Sequence, residues 1–261
     1  MSEKALVVLS GGQDSTTCLF WAIKKFGVEN VYAVSFDYGQ RHHIELDSAV
    51  VIARIAGIEG RHTIVGAGGL LHSTSPLTSE TELDQYTDFD QMTEVVGNKV
   101  EKTFVPMRNT LFLTIAANRA IEVGALTIVT GICQADNANY PDCTNAFRNR
   151  LQDAFNESLF GSPSSAPSKE LKIEAPLMYM SKAESVKLAL TLPGCMGALA
   201  YSHTSYDGKY PPTDSNHANI LRAKGFEEAG VPDPLVMRAV REGLMEWPAT
   251  ANYDDARKLG I

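Results

Sequence analysis

Cysteine is scarce: four residues, at positions 18, 133, 143 and 195, are spread through 261 with no Cys-x-x-Cys spacing. That is too few for a disulfide framework, so all four read as reduced thiols. Positive charge is short as well. With 23 Lys and Arg against 31 Asp and Glu, the formal net charge is −8, which repels a nucleic-acid backbone and points to a small-molecule or protein partner instead. No apolar run is long enough to span a bilayer, and the N-terminus lacks a basic segment followed by an apolar core. We therefore expect a cytoplasmic chain without membrane contact. Two phosphate-binding signatures are missing too: no Gly-Lys-Ser/Thr stands at Walker spacing, and no Gly-x-Gly-x-x-Gly occurs. No internal repeat is visible. At 44% hydrophobic, the length suits one large α/β domain or one domain with an appendage.

What the chain does have is concentrated near its start. Ala5 to Leu9 is an apolar run that reads as a strand buried on both faces. Ser10-Gly-Gly makes a tight loop, and Asp14-Ser-Thr opens an apolar-periodic helix ending near Phe26. Glycines at 11 and 12 let backbone N–H groups approach an anion, and the helix N-terminus adds unpaired donors and partial positive charge. A phosphate group fits such a loop. The plainer alternative is a strand-to-helix turn in which Asp14 or Ser15 caps the helix.

Further polar clusters recur at strand ends, where open parallel sheets bind ligands. Val31 to Phe36 reads as a strand ending in Asp37-Tyr-Gly-Gln-Arg-His-His-Ile-Glu45. Gln40, Arg41 and His42 offer planar donors and acceptors to a heterocycle or carboxylate; the alternative is a helix-capping loop with a solvated basic face. A helix to about Gly57 and a strand over 61–65 follow. From Gly66 to Lys102 periodicity fades into Ser, Thr, Asp and Glu, a stretch we read as a lid over the site. Arg108 and Asn109 then follow a Pro-fixed turn at the start of a helix over 111–124; Arg108 either meets charge on a leaving phosphate or satisfies carbonyls of the turn. Leu126 to Gly131 is another doubly buried strand. Beyond it, Asp136 and Asp142 offer carboxylates to base N–H groups or a metal, and Cys143 is either a reactive thiol or an inert one. An amphipathic helix over 146–160, a low-complexity hinge over 162–168, a strand over 171–175 and a helix capped by Ser181 complete this part; Lys182 is placed to reach a phosphate. The last helix, 253–259, carries no visible chemistry and leaves room for a homodimer contact.

The loop Ser10-Gly-Gly-Gln-Asp-Ser15 resembles the PP-loop of the ATP pyrophosphatases. Within that group the chain resembles the QueC, or 7-cyano-7-deazaguanine synthase, branch. Tyr38-Gly-Gln-Arg-His42 with Glu45, Val105-Pro-Met-Arg-Asn109, Tyr140-Pro-Asp-Cys143, Ala175-Pro-Leu177 with Lys182, Lys224-Gly-Phe and Gly230-Val-Pro-Asp-Pro234 carry the resemblance in order along nearly the whole chain. It implies an open, mostly parallel sheet with helices on both faces: residues 1–192 would form the ATP-binding domain with its lid near 66–103, and 193–261 a small helical lobe. ATP, with Mg²⁺ bridging its phosphates, would contact Leu9, Ser10, Gly11, Gly12, Gln13, Asp14, Ser15, Thr16, Phe36 and Gly131. A 7-deazaguanine substrate would meet Tyr38, Gln40, Arg41, His42, Asn109, Asp136, Tyr140, Asp142 and Cys143, with Asp14, Arg108 and Lys182 in catalytic roles. The implied reaction adenylates 7-carboxy-7-deazaguanine and gives the acyl group to ammonia, the amide then going on to the nitrile.

The pattern breaks in one place. The branch carries a structural zinc on one Cys and a later Cys-Gly-x-Cys-x-x-Cys run, and the four positions fall here on Ser205, Thr213, Asn216 and Asn219. Hydroxyls and amides are poor zinc ligands, so zinc is not expected. Cys195, His203 and His217 make a weak substitute set. The loss leaves two other readings open. One is a ligase joining the deazaguanine carboxylate to a protein amine, such as an N-terminus, in an antiphage system, as related proteins in such operons suggest. The other is a catalytically silent ATP or nucleobase binder.

Overall fold

The computed structural model describes residues 3–40, 43–79, 82–134, 139–161, 169–205 and 208–260. Its strands are β1 (Ala5–Val8), β2 (Val31–Asp37), β3 (His62–Gly66), β4 (Thr127–Val129) and β5 (Lys172–Glu174). They form one sheet in the order β3-β2-β1-β4-β5, every neighbouring pair parallel. The helices are α1 (Gln13–Phe26), α2 (Ile44–Ile55), α3 (Phe89–Val96), α4 (Arg108–Val123), α5 (Asn145–Phe160), α6 (Lys182–Leu190), α7 (Cys195–Leu199), α8 (His217–Ala229), α9 (Pro234–Arg241) and α10 (Asp254–Leu259). None among the described residues is long and apolar enough to cross a membrane.

β1 is central and shows why its sequence is apolar throughout. Ala5, Val7 and Leu9 enter a cluster with Leu19 of α1, Ile52 of α2, Val186 of α6, Leu199 of α7 and Phe226 of α8. Leu6, on the opposite face, joins Val34, Ile128 and Ile173 under Leu113, Ala116 and Ala120 of α4. Alternate side chains of one strand thus feed two cores, the period-two pattern of a sheet covered on both sides. The described hinge-side residues stop at 161 and resume at 169, so the hinge expected over 162–168 lies outside the described residues.

One feature differs from the sequence expectation. The stretch 66–102 contains a helix, α3, capped by Asp88, whose side chain accepts from Gln91 N at 2.8 Å. Tyr86, Met92 and Val96 are buried there against Leu221 of α8. Eight helical residues set among acidic ones give too few turns for the period to show. The C-terminal part is helical, as expected, and its α7 and α8 share the buried cluster of α1 and α2.

The turn after β1 is possible only with glycine. Gly11 has φ +86°, and a Cβ there would lie 2.1 Å from the Glu45 carbonyl oxygen in the first turn of α2. Gly11→Ala should therefore cost on the order of 3 kcal/mol, from left-handed strain and overpacking together. A urea titration checks this; an unchanged midpoint would mean that α2 does not press on the loop.

Candidate active site

The chain runs from β1 outward through β2 to β3, then returns to β4 on the other side of β1. The carboxyl end of β1 is thus a topological switch point, where the crossovers diverge and leave a crevice. A cleft of about 580 Å³ opens there. Its wall at β1 is the loop Ser10–Ser15, which supports itself: Ser15 Oγ accepts from Ser10 N at 3.1 Å and donates to Gly12 O at 3.2 Å, while Thr16 Oγ1 donates to Gly12 O at 2.8 Å. The N-cap of α1 is Gly12, with no side-chain cap bond. Neither Asp14 nor Ser15 caps the helix, because their side chains are engaged elsewhere, and the N-terminal N–H groups of α1 keep their anion-binding character.

Asp14 is engaged by Lys182, whose Nζ lies 2.6 Å from Oδ2 in a largely buried pair. Lys182 opens α6 behind a complete capping box: Ser181 Oγ accepts from Glu184 N, and the Glu184 carboxylate accepts from Ser181 N at 2.8 Å. α8 crosses this turn closely enough that a Cβ at Gly225 would fall 2.7 Å from Lys182 Cβ. A larger residue there would push Lys182 off its partner.

Facing the loop, Arg108 begins α4, immediately after Met107 in the left-handed region. Its guanidinium hydrogen-bonds the Tyr38 hydroxyl and lies near Glu45. Burial pushes the Glu45 carboxyl up to about 7, with the Arg108 charge opposing; burial likewise raises the Tyr38 phenol. The floor is aromatic: Phe36 stacks on Phe112 at 4.2 Å, and Tyr38 tilts against the same ring at 5.3 Å.

Most of the residues expected at the site converge on this cleft. Leu9, Ser10, Gly12, Gln13, Asp14, Ser15, Phe36, Tyr38, Gln40, Arg108, Asn109, Gly131, Tyr140, Cys143 and Lys182 line it. Gly11 and Thr16 do not. Gly11 is pressed under α2, and Thr16 is fully buried on the Gly12 carbonyl. Asp142 is also set back: its Oδ2 accepts from Asn109 N at 3.3 Å, so it braces the start of α4 rather than facing the cleft. Burial raises its carboxyl despite the Arg108 charge. The Gln40 side chain accepts from Tyr38 N and donates to Phe36 O, bracing its own turn. The Tyr140 hydroxyl bonds Thr103 and Glu101 of the preceding segment. Arg41, His42 and Asp136 lie outside the described residues.

The sequence reading missed the contribution of the C-terminal lobe. His203, Thr204, His217 and Leu221 complete the cleft wall. His203 N donates to Gly11 O at 2.9 Å, docking the lobe on the loop. Arg222 holds this segment with Nη1 on Ser202 and Thr204, each at 2.8 Å, and a two-pronged ion pair to Asp233. A contact spanning some 190 residues leaves no local signal. Cys195, once grouped with His203 and His217, packs instead in the core, its thiol bonded with Thr17 and raised to about 12 by burial. Among the described residues no three His, Cys, Asp or Glu side chains are grouped to hold a metal.

A glycine-rich loop at the switch point of a parallel sheet, with a carboxylate–lysine pair at the helix it opens, defines an α/β protein of the PP-loop type. The family can be stated more closely. The model of the family described as queuosine biosynthesis protein QueC matches residues 4–230. A 7-cyano-7-deazaguanine synthase of Chromobacterium violaceum is 45% identical over 244 residues, covering 92% of this chain and 96% of its own. Proteins of the same name from Laribacter hongkongensis and Gloeobacter violaceus are 46% and 45% identical, covering 90% and 89% of this chain and 95% of each of theirs. The chain belongs to the QueC family.

The raised Glu45 carboxyl has a measurable sign. Its folded-state value of about 7 exceeds its ordinary 4.5, so the native state favours the protonated form; the stability this gives is complete below about pH 4.5 and lost as pH rises through 7. Relative to Glu45→Gln, the parent protein should lose up to about 3 kcal/mol of unfolding free energy between pH 4.5 and 8. Urea midpoints across that range test this, and a constant difference would show that the carboxyl titrates normally.

Proposed function

We propose that the protein is an ATP-dependent carbon–nitrogen ligase that activates the carboxylate of 7-carboxy-7-deazaguanine as an acyl adenylate and transfers it to a nitrogen nucleophile. The observation that carries this reading is the Asp14–Lys182 pair beside the Ser10–Ser15 loop, in one cleft with Arg108 and Tyr38. The named activity of the 45% identical relatives supports the same chemistry.

A resonance-stabilised carboxylate does not expel oxide, so oxygen must first become a leaving group. Attack of the carboxylate on the α-phosphorus of ATP forms the mixed anhydride and releases pyrophosphate. Loop N–H groups and the α1 N-terminus would hold the departing phosphates, and Lys182 and Arg108 would offset the charge growing on them. Asp14 would supply the one carboxylate that Mg²⁺ needs beside phosphate oxygens, and the bound ion would add electrophilic assistance. The aromatic floor of Phe36, Phe112 and Tyr38 suits the flat base, with Asn109 and Cys143 at its edge. Ammonia then displaces AMP to give the amide with loss of a proton. A second ATP activates the amide oxygen in the same way, releasing pyrophosphate, and expulsion of AMP with loss of the two N–H protons leaves the nitrile.

An amine of a protein substrate is the second reading, favoured by the altered lobe: His203, just before the first position that departs from the family's cysteine pattern, and His217, between the last two, wall the cleft. An amide so formed keeps its substituent and cannot become a nitrile, so one ATP would be used.

Incubation with Mg-ATP, 7-carboxy-7-deazaguanine and ammonium, followed by mass spectrometry, should give the free nitrile through the amide. With a protein amine as the true acceptor, the base mass would instead appear on a protein. Asp14→Ala and Lys182→Met should each reduce pyrophosphate release at least 100-fold, a loss of about 3 kcal/mol of transition-state stabilisation, with the fold intact by circular dichroism. Activity equal to the parent in Asp14→Ala would sink the assignment, and no ATP turnover with any acceptor would leave a binding protein.

A further inference from the structure

We propose that the Asp214 carboxylate takes the place of a metal ion in the C-terminal lobe, so that this lobe folds around an anion held by neutral donors. Three of the four positions that the family pattern gives to zinc cysteines converge on this side chain. Ser205 Oγ donates to Asp214 Oδ1 at 2.6 Å. Asn216 Nδ2 donates to Oδ2, and Asn219 Nδ2 donates to Oδ1 and, at 3.2 Å, to the Asp214 carbonyl. The ring is closed by Asn216 Nδ2 to Ser205 Oγ at 3.3 Å and by Asn219 N to Asn216 Oδ1 at 3.1 Å. Ser205 and Asn216 are almost wholly buried. The fourth position, Thr213, is exposed.

The polarity of this cluster is the reverse of a zinc site. Four thiolates surround a cation, their negative charge concentrated on it; here hydroxyl and amide donors converge on a carboxylate, an acceptor in place of a cation. A divalent ion at the same point would face N–H and O–H dipoles of the wrong sign. Asp214 itself stands where the Cys-Gly-x-Cys-x-x-Cys pattern has glycine.

The cluster also performs the positioning that a metal would. It seats Asn216 as the N-cap of α8, which sets His217 and Leu221 on the cleft. Through the intervening residue it ties down the segment before α3: Ser215 N donates to Gln85 Oε1 at 2.9 Å, and Ser215 O accepts from Tyr86 N at 3.0 Å.

The test uses the full chain purified without chelator. Elemental analysis should find well under one zinc per chain, and EDTA should leave the melting temperature unchanged. Asp214→Asn, which keeps the shape but turns one acceptor into a donor, and Asp214→Ala should both lower the melting temperature by about 5 °C or more, whereas Thr213→Ala should not move it. Stoichiometric zinc, a melting temperature that falls with EDTA, or an Asp214→Asn protein as stable as the parent would each overturn the proposal. None of these readouts depends on turnover, so they stand apart from the assignment of the active site.

Discussion

The ion pair between Asp14 and Lys182 joins the first helix of the sheet domain to the sixth, and most of the site is arranged around it. Removing one partner leaves the other charge without compensation at the cleft wall. The surroundings are built to keep the two together. Gly225 lets α8 cross directly over Lys182, and the capping box at Ser181 fixes the turn from which it projects. At the other end, Gly11 locks the loop under α2 while its carbonyl takes the His203 amide. The loop at the end of β1 is thus held by three separate segments meeting at one strand end.

The opposite wall obeys a different balance. Arg108 faces both Tyr38 and Glu45, and burial raises the acid and the phenol against the pull of its charge. The Arg108 charge thus stands beside two groups whose ionised forms burial disfavours.

Much of the architecture was legible because it rests on local rules. The doubly buried strands, the cap at Ser181, and the Arg108–Asn109 helix start each come from a few adjacent residues. α3 was not legible, since its eight residues lie in an acidic stretch and its apolar face is completed by α8. Asp142 looked like a ligand-facing carboxylate from its place after a strand, yet its side chain turns back to cap backbone of α4. Position along the chain told which strand end it belongs to, and said nothing of the direction it faces.

The chain by itself determined the glycine loop, the order of the strands and of the helices between them other than α3, and the family, because glycine spacing, apolar period and contiguous motifs are properties of neighbours in sequence. Only the tertiary structure decided that His203 and His217 wall the cleft, that Lys182 meets Asp14 across 168 residues, and that Asp214 gathers Ser205, Asn216 and Asn219 around its carboxylate. Those contacts depend on how separate segments pack, and no short-range pattern encodes the distance between residues brought together by a common core.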